Sequence, residues 1–447
     1  MDKRIKWPLY AIEAYLVFSL ILLIAGPLHF ELHNKIQFVF LIIAYHVAFI
    51  LGYNIGTKSD SNCRKDIYKG DKNAIVSRYT FLIILVLYVW LIVTRNITHA
   101  NSYIPVELFK RAITGIMNPA LSYNSNKGTD AEALFHGNKV MTGSILLIYF
   151  LYYCFPAITV LYWEQINKIQ RILSVIIIVL CLLLGFASGT NASIFHVIIP
   201  LSVGLVLKNL TGNKKNNKST ARQNIKRIRK PIITMLCFGV LYFINNIDSR
   251  LGGNVLAYFC SKSSDITIST PYKEIINNPQ LGSLVKGLAS VQSYICQGYY
   301  GMSLAIDKGF TPTYGLGHSF FLATSSDNMF GTNIISNTYQ EKITNIWSRT
   351  VNWHSFYSQM ANDVGFYGVI IIMLILGIIT SKVWIDIIIN NNPIAKLLFV
   401  VMMPIYIFMP MNNQMGNLYG TFFSFWVLLI LWIISRKNKI VLGRLCI

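Results

Sequence analysis

The sequence predicts an all-α polytopic integral membrane protein, and two observations support that class. Charged residues make up 13% of the 447 residues, about half the share that is usual in a soluble protein. Apolar runs of roughly 20 residues recur along the chain, and a helix needs about 20 such residues to cross the hydrocarbon core of a bilayer. A membrane β-barrel would instead show short segments of alternating polarity.

The apolar runs place about ten transmembrane helices along the chain, within a range of 10–12. The first run is long and lacks a small-residue cleavage pattern, so we interpret it as an uncleaved span rather than as a signal peptide. The fifth and sixth spans are separated only by a short polar turn. In chain order, the predicted spans are residues 8–28, 36–56, 79–94, 140–162, 172–187, 191–207, 231–247, 364–384, 396–411 and 418–434.

The distribution of basic residues predicts the orientation. Residues 208–230 contain nine lysines and arginines and no acid, and short loops with an excess of basic residues face the cytoplasm. Both termini are then cytoplasmic. Beside membrane spans, such a segment is expected to meet anionic lipid headgroups and not nucleic acid. The net charge of +21 therefore reflects topology.

This orientation divides the chain into three parts. Residues 1–247 would contain the first seven spans, an external loop at 95–139 and the basic cytoplasmic loop at 208–230. Residues 248–363 would form a large external loop domain that is partly helical. Residues 364–447 would contain the last three spans and a basic cytoplasmic tail.

The large external segment is rich in aromatic residues and poor in charge, which is typical of a surface that binds a neutral polar ligand such as a sugar. An interfacial belt is the alternative, and it accounts for Trp353 and Tyr357 beside a span. The apolar stretch 284–306 predicts a helix that lies in the membrane interface. Cys260 and Cys296 share this segment, and the sequence leaves open whether they pair.

Two other groups of ionisable residues have simple interpretations. In the segment HFELH, His29, Glu31 and His33 are possible metal ligands, but we interpret them as an interfacial turn and predict no metal site. Glu13, His46 and His196 are ionisable residues in predicted spans. Glu13 is expected near the inner end of the first span, where it can reach the interface, and the two histidines are single, so an ion-coupled pump is not favoured.

The segment HSFYSQMANDVGFYG, residues 354–368, joins the large external segment to the eighth span. His354 can exchange protons near neutral pH. Ser355 can orient that imidazole or cap a helix. Gly365 and Gly368 are expected to let neighbouring backbone approach closely. These residues follow the pattern H-[NSQ]-x9-G-x-x-[GTY].

This pattern resembles a signature of transferases that act on lipid-linked oligosaccharides at the outer membrane face. Together with the layout of spans and loops, the chain resembles a Wzy-type O-antigen or capsule repeat-unit polymerase. The resemblance implies a GT-C-like fold and a membrane glycosyltransferase in the bacterial cytoplasmic membrane. It would polymerise undecaprenyl-pyrophosphate-linked repeat units without metal or cofactor, beside a flippase and a chain-length regulator. An O-antigen ligase and a polysaccharide flippase are the alternatives.

A transfer of this kind needs cations for the departing pyrophosphate, and arginine binds phosphate in a bidentate manner. External arginines Arg349, Arg250 and Arg111 are therefore candidate substrate-binding residues, and Ser355, Trp353 and Tyr357 are candidates beside the motif. The resemblance also places an arginine in the turn between the fifth and sixth spans, where this chain has Asn191.

The resemblance gives His354 the role of a general base, or of a residue that orients the acceptor hydroxyl. Asp363 is the nearest carboxylate in sequence and is a second candidate base, although it could also be an acid favoured by a helix start. The other external carboxylates that could serve as the base are Asp307, Asp327 and Glu341.

Overall fold

The computed structural model describes residues 3–60, 84–87, 89, 105–126, 150–211, 218–278, 280–417, 419–437, 441–442 and 445–446. These residues are mostly helical, so the all-α class of membrane protein is confirmed. Among them, six helices are long and apolar enough to cross a membrane.

The helices are, in chain order, α1 (Trp7–Ala25), α2 (Lys35–Asp60), α3 (Pro105–Met117), α4 (Pro119–Asn126), α5 (Phe150–Leu161), α6 (Lys168–Ala187), α7 (Asn191–Thr211), α8 (Lys218–Arg250), α9 (Val255–Lys262), α10 (Thr270–Lys273), α11 (Leu281–Ala305), α12 (Phe320–Phe330), α13 (Ile334–Asn337), α14 (Tyr339–Lys342), α15 (Phe356–Ile388), α16 (Pro393–Phe408) and α17 (Tyr419–Lys437). The 3-10 turns are Lys3–Lys6 and Ile275–Asn277. The strands are β1 (Leu28–Phe30), β2 (Ile266–Ile268), β3 (Val441–Leu442) and β4 (Leu445–Cys446). Two antiparallel pairs form, β1 with β2 and β3 with β4.

Six of the predicted spans correspond to long apolar helices. The six candidate spans are Arg4–Ala25, Lys35–Lys58, Lys168–Ala187, Asn191–Thr211, Ile232–Arg250 and Phe356–Ile388. The predicted ninth and tenth spans correspond to the shorter apolar helices α16 and α17. Most of the predicted third span and part of the fourth lie outside the described residues. The total of ten therefore stays a prediction.

The chain forms two compact units. Unit 1 consists of Met1–Arg64, Leu251–Asp386 and Met402–Phe422. Unit 2 consists of Lys65–Arg250, Ile387–Val401 and Phe423–Ile447. Most of the predicted external domain, 248–363, thus shares unit 1 with the first two helices.

Within unit 1, α2 and α15 pack closely through small residues. A Cβ atom on Gly52 would overlap the carbonyl oxygen of Leu374, and one on Gly377 would overlap that of Phe49. Such residues allow two membrane helices to bring their backbones together, so that van der Waals contact and not apolar burial holds them. This interface fixes the helix on which the motif of residues 354–368 lies.

Helix α11 covers the stretch 284–306, whose interfacial position stays a prediction. The second half of α11 is buried inside unit 1, whereas Leu281, Leu284 and Leu288 near its start are exposed. Its polar side chains bind α1: the Gln292 amide donates to the carbonyl oxygen of Leu22 (2.9 Å), and the hydroxyls of Tyr299 and Ser19 lie 2.9 Å apart. Cys296 is buried in the same contact and, like Cys260, is a free thiol.

The segment HFELH leads from α1 into α2 and is held by ion pairs. Glu31 lies 2.5 Å from Lys35 and 3.4 Å from His29, and His33 lies 2.8 Å from Asp265. The neighbouring β1–β2 pair joins this segment to residues 266–268. The three possible metal ligands of the sequence thus each have a hydrogen-bond partner.

Glu13 and His46, which the sequence left single, form a pair between α1 and α2. The Nδ1 atom of His46 lies 2.6 Å from Oε2 of Glu13. Both residues lie near the middle of their candidate spans, Arg4–Ala25 and Lys35–Lys58. Within the described part of the chain, Oε1 of Glu13 and Nε2 of His46 are buried without a hydrogen-bond partner.

Unit 2 packs α3, α6, α7 and α8 together. Its described core contains Ala112, Phe186, Ile194, Ile198 and Tyr242. The basic segment predicted at 208–230 is only partly a loop, because α8 begins at Lys218 and continues to Arg250 as one helix of 33 residues.

Candidate active site

The motif of residues 354–368 contains a break in α15. Gly365 has φ 69° and ψ 165°, which only glycine adopts readily. A Cβ atom there would meet only the Phe310 ring, at 3.8 Å, whereas one on Gly368 would lie 2.7 Å from the Val364 side chain. The prediction that these two glycines admit a neighbouring backbone is therefore wrong. They allow α15 to change direction just after Asp363.

Asp363 is clamped by the loop of residues 313–318. Its carboxylate accepts hydrogen bonds from the Thr313 hydroxyl, from the backbone N–H groups of Gly315 (3.0 Å), Gly317 (2.9 Å) and His318 (3.0 Å), and from Nδ1 of His318 (2.8 Å). Tyr314 and Gly315 both have positive φ, 53° and 81°. This conformation turns successive N–H groups toward one point, which suits an anion.

The same clamp fixes the ring of His318, a residue that the sequence analysis missed. Asp363 receives both the backbone N–H and the ring Nδ1–H of His318, and the Asn413 amide donates to the His318 carbonyl oxygen at 2.7 Å. The His318 side chain is 15% exposed. Its Nε2 atom has no hydrogen-bond partner among the described residues. This is the arrangement in which a carboxylate sets the tautomer and orientation of an imidazole.

His354, which the motif singled out, is buried. It is 3% exposed, and its Nε2–H points to the carbonyl oxygen of Ser348 at 3.4 Å. Nδ1 is buried without a partner among the residues that the structure describes, and a Cβ atom on Gly301 would lie only 3.2 Å from it. Burial, with a smaller contribution from the charge of Arg349, lowers the pKa of His354 to about 4. A neutral imidazole enclosed in this way is a weak base.

The residues beside His354 have mainly structural contacts. The Ser355 hydroxyl accepts the backbone N–H of Ser358 at 3.2 Å, as a helix cap does, and it is fully buried. The Tyr357 ring stacks on Tyr45 with centroids 4.9 Å apart and is also fully buried. Trp353 is partly exposed and packs on Tyr294 at 5.3 Å.

Arg349 lies close to this polar group and retains binding capacity. Its Nε donates to Oε2 of Glu341 at 2.7 Å, and its guanidinium lies 5.5 Å from the Phe320 ring centroid. Within the described ranges, one terminal nitrogen, NH1, is buried without a partner. The side chain as a whole is 22% exposed, and a guanidinium group can donate several hydrogen bonds in a plane.

A network of buried amides joins Arg349 to the histidine–aspartate pair. The Asn362 amide donates to the carbonyl oxygen of Gly317 (2.8 Å) and to Gln340 (2.7 Å), whose neighbour Glu341 holds Arg349. The side-chain oxygen of Asn362 accepts a hydrogen bond from the backbone N–H of Tyr339 at 2.9 Å. This shared amide fixes the spacing between the loop around Asp363 and the segment of Arg349.

Residues 412–417 close the network from the other side. The Gln359 amide donates both to the His354 carbonyl oxygen (3.2 Å) and to Asn412 (3.3 Å), while the neighbouring Asn413 holds His318. In the sequence, the polar segment NNQMGN (412–417) between two apolar helices could have indicated that these amides belong to the site. A run of amides between apolar helices is costly to bury unless the amides are used in hydrogen bonds.

The aromatic residues of the external segment separate into two groups. Buried rings form the packing around α11, among them Tyr299, Tyr300, Trp347 and Tyr357. Exposed rings surround the loop that clamps Asp363: Tyr314 is 83% exposed, Phe320 48% and Phe310 47%. The second group has faces available to a ligand, and Phe330 at the end of α12 is also exposed.

The other candidate substrate-binding residues belong to unit 2. The Arg250 guanidinium lies 3.4 Å from the ring centroid of Tyr123. Asn191 begins α7 and is 3% exposed, and neither polar atom of its amide has a partner within the described residues. Arg111 is exposed on α3, 3.9 Å from Glu107. Arg250 and Asn191 are thus near the turn at Gly189, which packs on Tyr123, and Arg111 has a separate ion pair.

The other candidate bases, Asp327, Glu341 and Asp307, already contact other groups of the protein. Asp327 accepts the Thr332 hydroxyl (2.6 Å) and the backbone N–H groups of Ile334 (2.8 Å) and Ile335 (3.0 Å). Glu341 holds Arg349, as described above, and Asp307 is exposed beside Lys308.

Comparisons with known proteins returned no relatives for this chain. No protein-family model, no curated protein and no solved structure matches it. Function therefore has to be argued from the site itself.

Proposed function

We propose that this protein polymerises lipid-pyrophosphate-linked oligosaccharide repeat units at the outer face of a bacterial cytoplasmic membrane. The observation that carries the proposal is the site in unit 1. There, buried amides connect the segment of a fixed imidazole to that of a partly exposed arginine, and exposed aromatic rings lie nearby. Sugars pack on aromatic faces, and arginine binds phosphate, so this combination suits a glycan attached to a pyrophosphate.

Arg349 would stabilise the departing pyrophosphate. Its side chain is 22% exposed, so the guanidinium can bind a phosphate oxygen while Glu341 keeps it in place. Cations positioned where negative charge develops are a large source of rate enhancement in group transfer. Since lipid pyrophosphate is itself a good leaving group, we propose a metal-independent reaction.

The exposed rings of Phe310, Tyr314 and Phe320 would bind the sugars of donor and acceptor. They surround the loop that carries His318, and Phe320 also lies next to the Arg349 guanidinium. The burial of His354 changes the role we propose for it. Its hydrogen bond to the carbonyl of Ser348, the residue before Arg349, makes it a residue that positions the arginine.

The test uses the purified protein in lipid nanodiscs with EDTA. The substrate is the lipid-linked oligosaccharide that accumulates when the gene is deleted in its source organism. We expect a ladder of products that differ by one repeat unit. Arg349→Ala should reduce the rate about 100-fold or more, since loss of one such group costs about 3 kcal/mol. Lys308→Ala, which removes an exposed cation of the same unit, should leave the ladder unchanged.

Other results would point to other functions. Transfer of a single glycan to a different acceptor would indicate a ligase. No product from folded wild-type protein would contradict any transferase. A ladder that is unchanged in Arg349→Ala would show that the polymerase acts through other residues.

A flippase is the second candidate, and the Glu13–His46 pair favours it. Ionisable residues in the middle of membrane spans are typical of transport proteins, and this pair has unused polar atoms within the described residues. Proteoliposomes that carry the same lipid-linked oligosaccharide in both leaflets would test it. A lectin added outside would report movement between leaflets. Movement that is lost in Glu13→Gln would support transport, and no movement would exclude it.

A further inference from the structure

We infer that His318 is the group that takes the proton from the acceptor hydroxyl and that Asp363 is its positioning residue. This inference rests on the proposed function and assigns the base of that reaction. The sequence pattern instead pointed to His354 and to Asp363 themselves.

Asp363 is fully engaged as an acceptor. Its two oxygens receive hydrogen bonds from a hydroxyl, three backbone N–H groups and one ring N–H within the described residues. To take a proton from a substrate, the carboxylate would have to give up at least one of these bonds. Hydrogen bonds to an ionised group favour the charged form, so Asp363 is held as an anion and not as a proton acceptor.

His354 is enclosed by protein on both ring nitrogens. Nε2 is directed to the Ser348 carbonyl, and Nδ1 faces the backbone of Gly301. A base must come within hydrogen-bond distance of the proton that it removes, either directly or through one water. No acceptor hydroxyl can reach Nδ1 while Gly301 packs against it, and burial also makes the ring a weak base.

His318 meets both requirements. Its Nδ1–H is directed to Asp363, which leaves the lone pair of the neutral ring on Nε2. The side chain reaches the surface, and its neighbours along the loop include the exposed ring of Tyr314. The ring cannot rotate freely, because its Nδ1–H is bound to Asp363, and its backbone is held by Asp363 and Asn413. A fixed lone pair beside a sugar platform is the geometry that deprotonation of a bound hydroxyl needs.

The reaction then balances as follows. Nε2 of His318 takes the proton of the acceptor hydroxyl, and the hydroxyl oxygen forms a bond to the anomeric carbon of the donor. The bond from that carbon to the pyrophosphate oxygen breaks, and the electron pair leaves with the pyrophosphate. The charge of Asp363 stabilises the imidazolium until the proton passes to solvent.

The experiment measures polymer formation by three single variants in nanodiscs, with and without added imidazole. His318→Ala should reduce the rate about 100-fold or more, and imidazole should restore part of it. His354→Ala should show no rescue, because the ring that is lost was enclosed. His29→Ala removes an exposed histidine of the same unit and should match wild type in both conditions.

Asp363 is tested through its coupling to His318. If Asp363 acts by orienting the ring, Asp363→Asn should lower the rate strongly in the wild-type background and much less in His318→Ala. If the rate of the double variant equals the product of the two single losses, Asp363 has only a structural role. Proper folding of each variant is checked by its elution as a single species from gel filtration.

The outcomes separate the two proposals. Wild-type protein without any ladder would overturn polymerisation and, with it, this role of His318. A normal ladder in wild type and in His318→Ala would overturn the role of His318 alone. Rescue of His354→Ala by imidazole, with no rescue of His318→Ala, would return the role of base to His354.

Discussion

Two of the carboxylate–imidazole pairs in unit 1 have the same chemistry and different surroundings. In the pair Asp363–His318, the carboxylate receives a hydrogen bond from the ring and several more from a loop. In the pair Glu13–His46, a single bond of 2.6 Å joins two side chains near the middle of candidate membrane spans. There, one polar atom on each side is buried without a partner among the described residues.

The difference shows what each pair can do. A saturated carboxylate keeps its charge and fixes the imidazole that it holds, which favours a defined proton acceptor. A half-satisfied pair has polar atoms that could bind a proton, a water molecule or another polar group. The first arrangement suits positioning and the second suits exchange of protons or ligands.

The largest expected effect comes from removing the charge of Asp363. Asp363→Asn places an amide among backbone N–H donors that were directed to a carboxylate, and some of these donors, two of them partly buried, lose their acceptor. We expect the free energy of unfolding to fall by about 4 kcal/mol, since hydrogen bonds to charged groups contribute about 1.5–3 kcal/mol each and one oxygen remains. Denaturant titration in detergent micelles measures it.

A matched control for this substitution is Asp307→Asn. Asp307 is exposed and has one ion pair, to Lys308, so its change should be below about 1 kcal/mol. Equal effects of the two substitutions would contradict the clamp around Asp363.

A somewhat smaller effect is expected from His354, a buried imidazole without a carboxylate partner among the described residues. Its pKa is lowered from 6.5 to about 4 in the folded protein, so between these values the unfolded chain binds the proton more readily. Stability therefore falls as pH drops from about 6.5 to about 4, by up to about 3 kcal/mol. Unfolding titrations at several pH values should show a weaker dependence in His354→Gln. An unchanged dependence would mean that another group titrates.

The smallest effect should come from the pair in the membrane. Hydrogen bonds between membrane helices contribute about 0.6 kcal/mol on average and at most about 1.7. A double-mutant cycle with Glu13→Gln and His46→Ala should therefore give a coupling of about 1 kcal/mol. A coupling as large as the loss in Asp363→Asn would remove the distinction between the two pairs.

The sequence was informative where hydrophobicity alone determines structure. The spans that correspond to α1, α2, α6, α7, the second part of α8 and α15 could be located from apolar runs, because bilayer thickness sets their length. It was also correct that Ser355 can cap a helix. The contacts of the stretch 284–306 could not be predicted. Polar residues such as Gln292 bind the backbone of α1, and a period of apolar residues does not reveal such a partner.

The site itself could be predicted only in part. The motif located the start of α15 and Asp363, but it did not reveal that Asp363 would hold His318, 45 residues earlier in the chain. That contact depends on the positive φ of Tyr314 and Gly315 and on the amides of Asn362 and Asn413. A contact between distant segments has no local periodicity, so a single sequence offers no direct signal for it.

The length of α8 has a mechanical consequence. A helix of 33 residues is about 50 Å long, whereas the hydrocarbon core is about 30 Å thick. The candidate span begins at Ile232, so residues 218–231 add about 20 Å of helix before it. The backbone of Lys218 and of the basic residues that follow is therefore joined to the span by continuous helix and not by a loop.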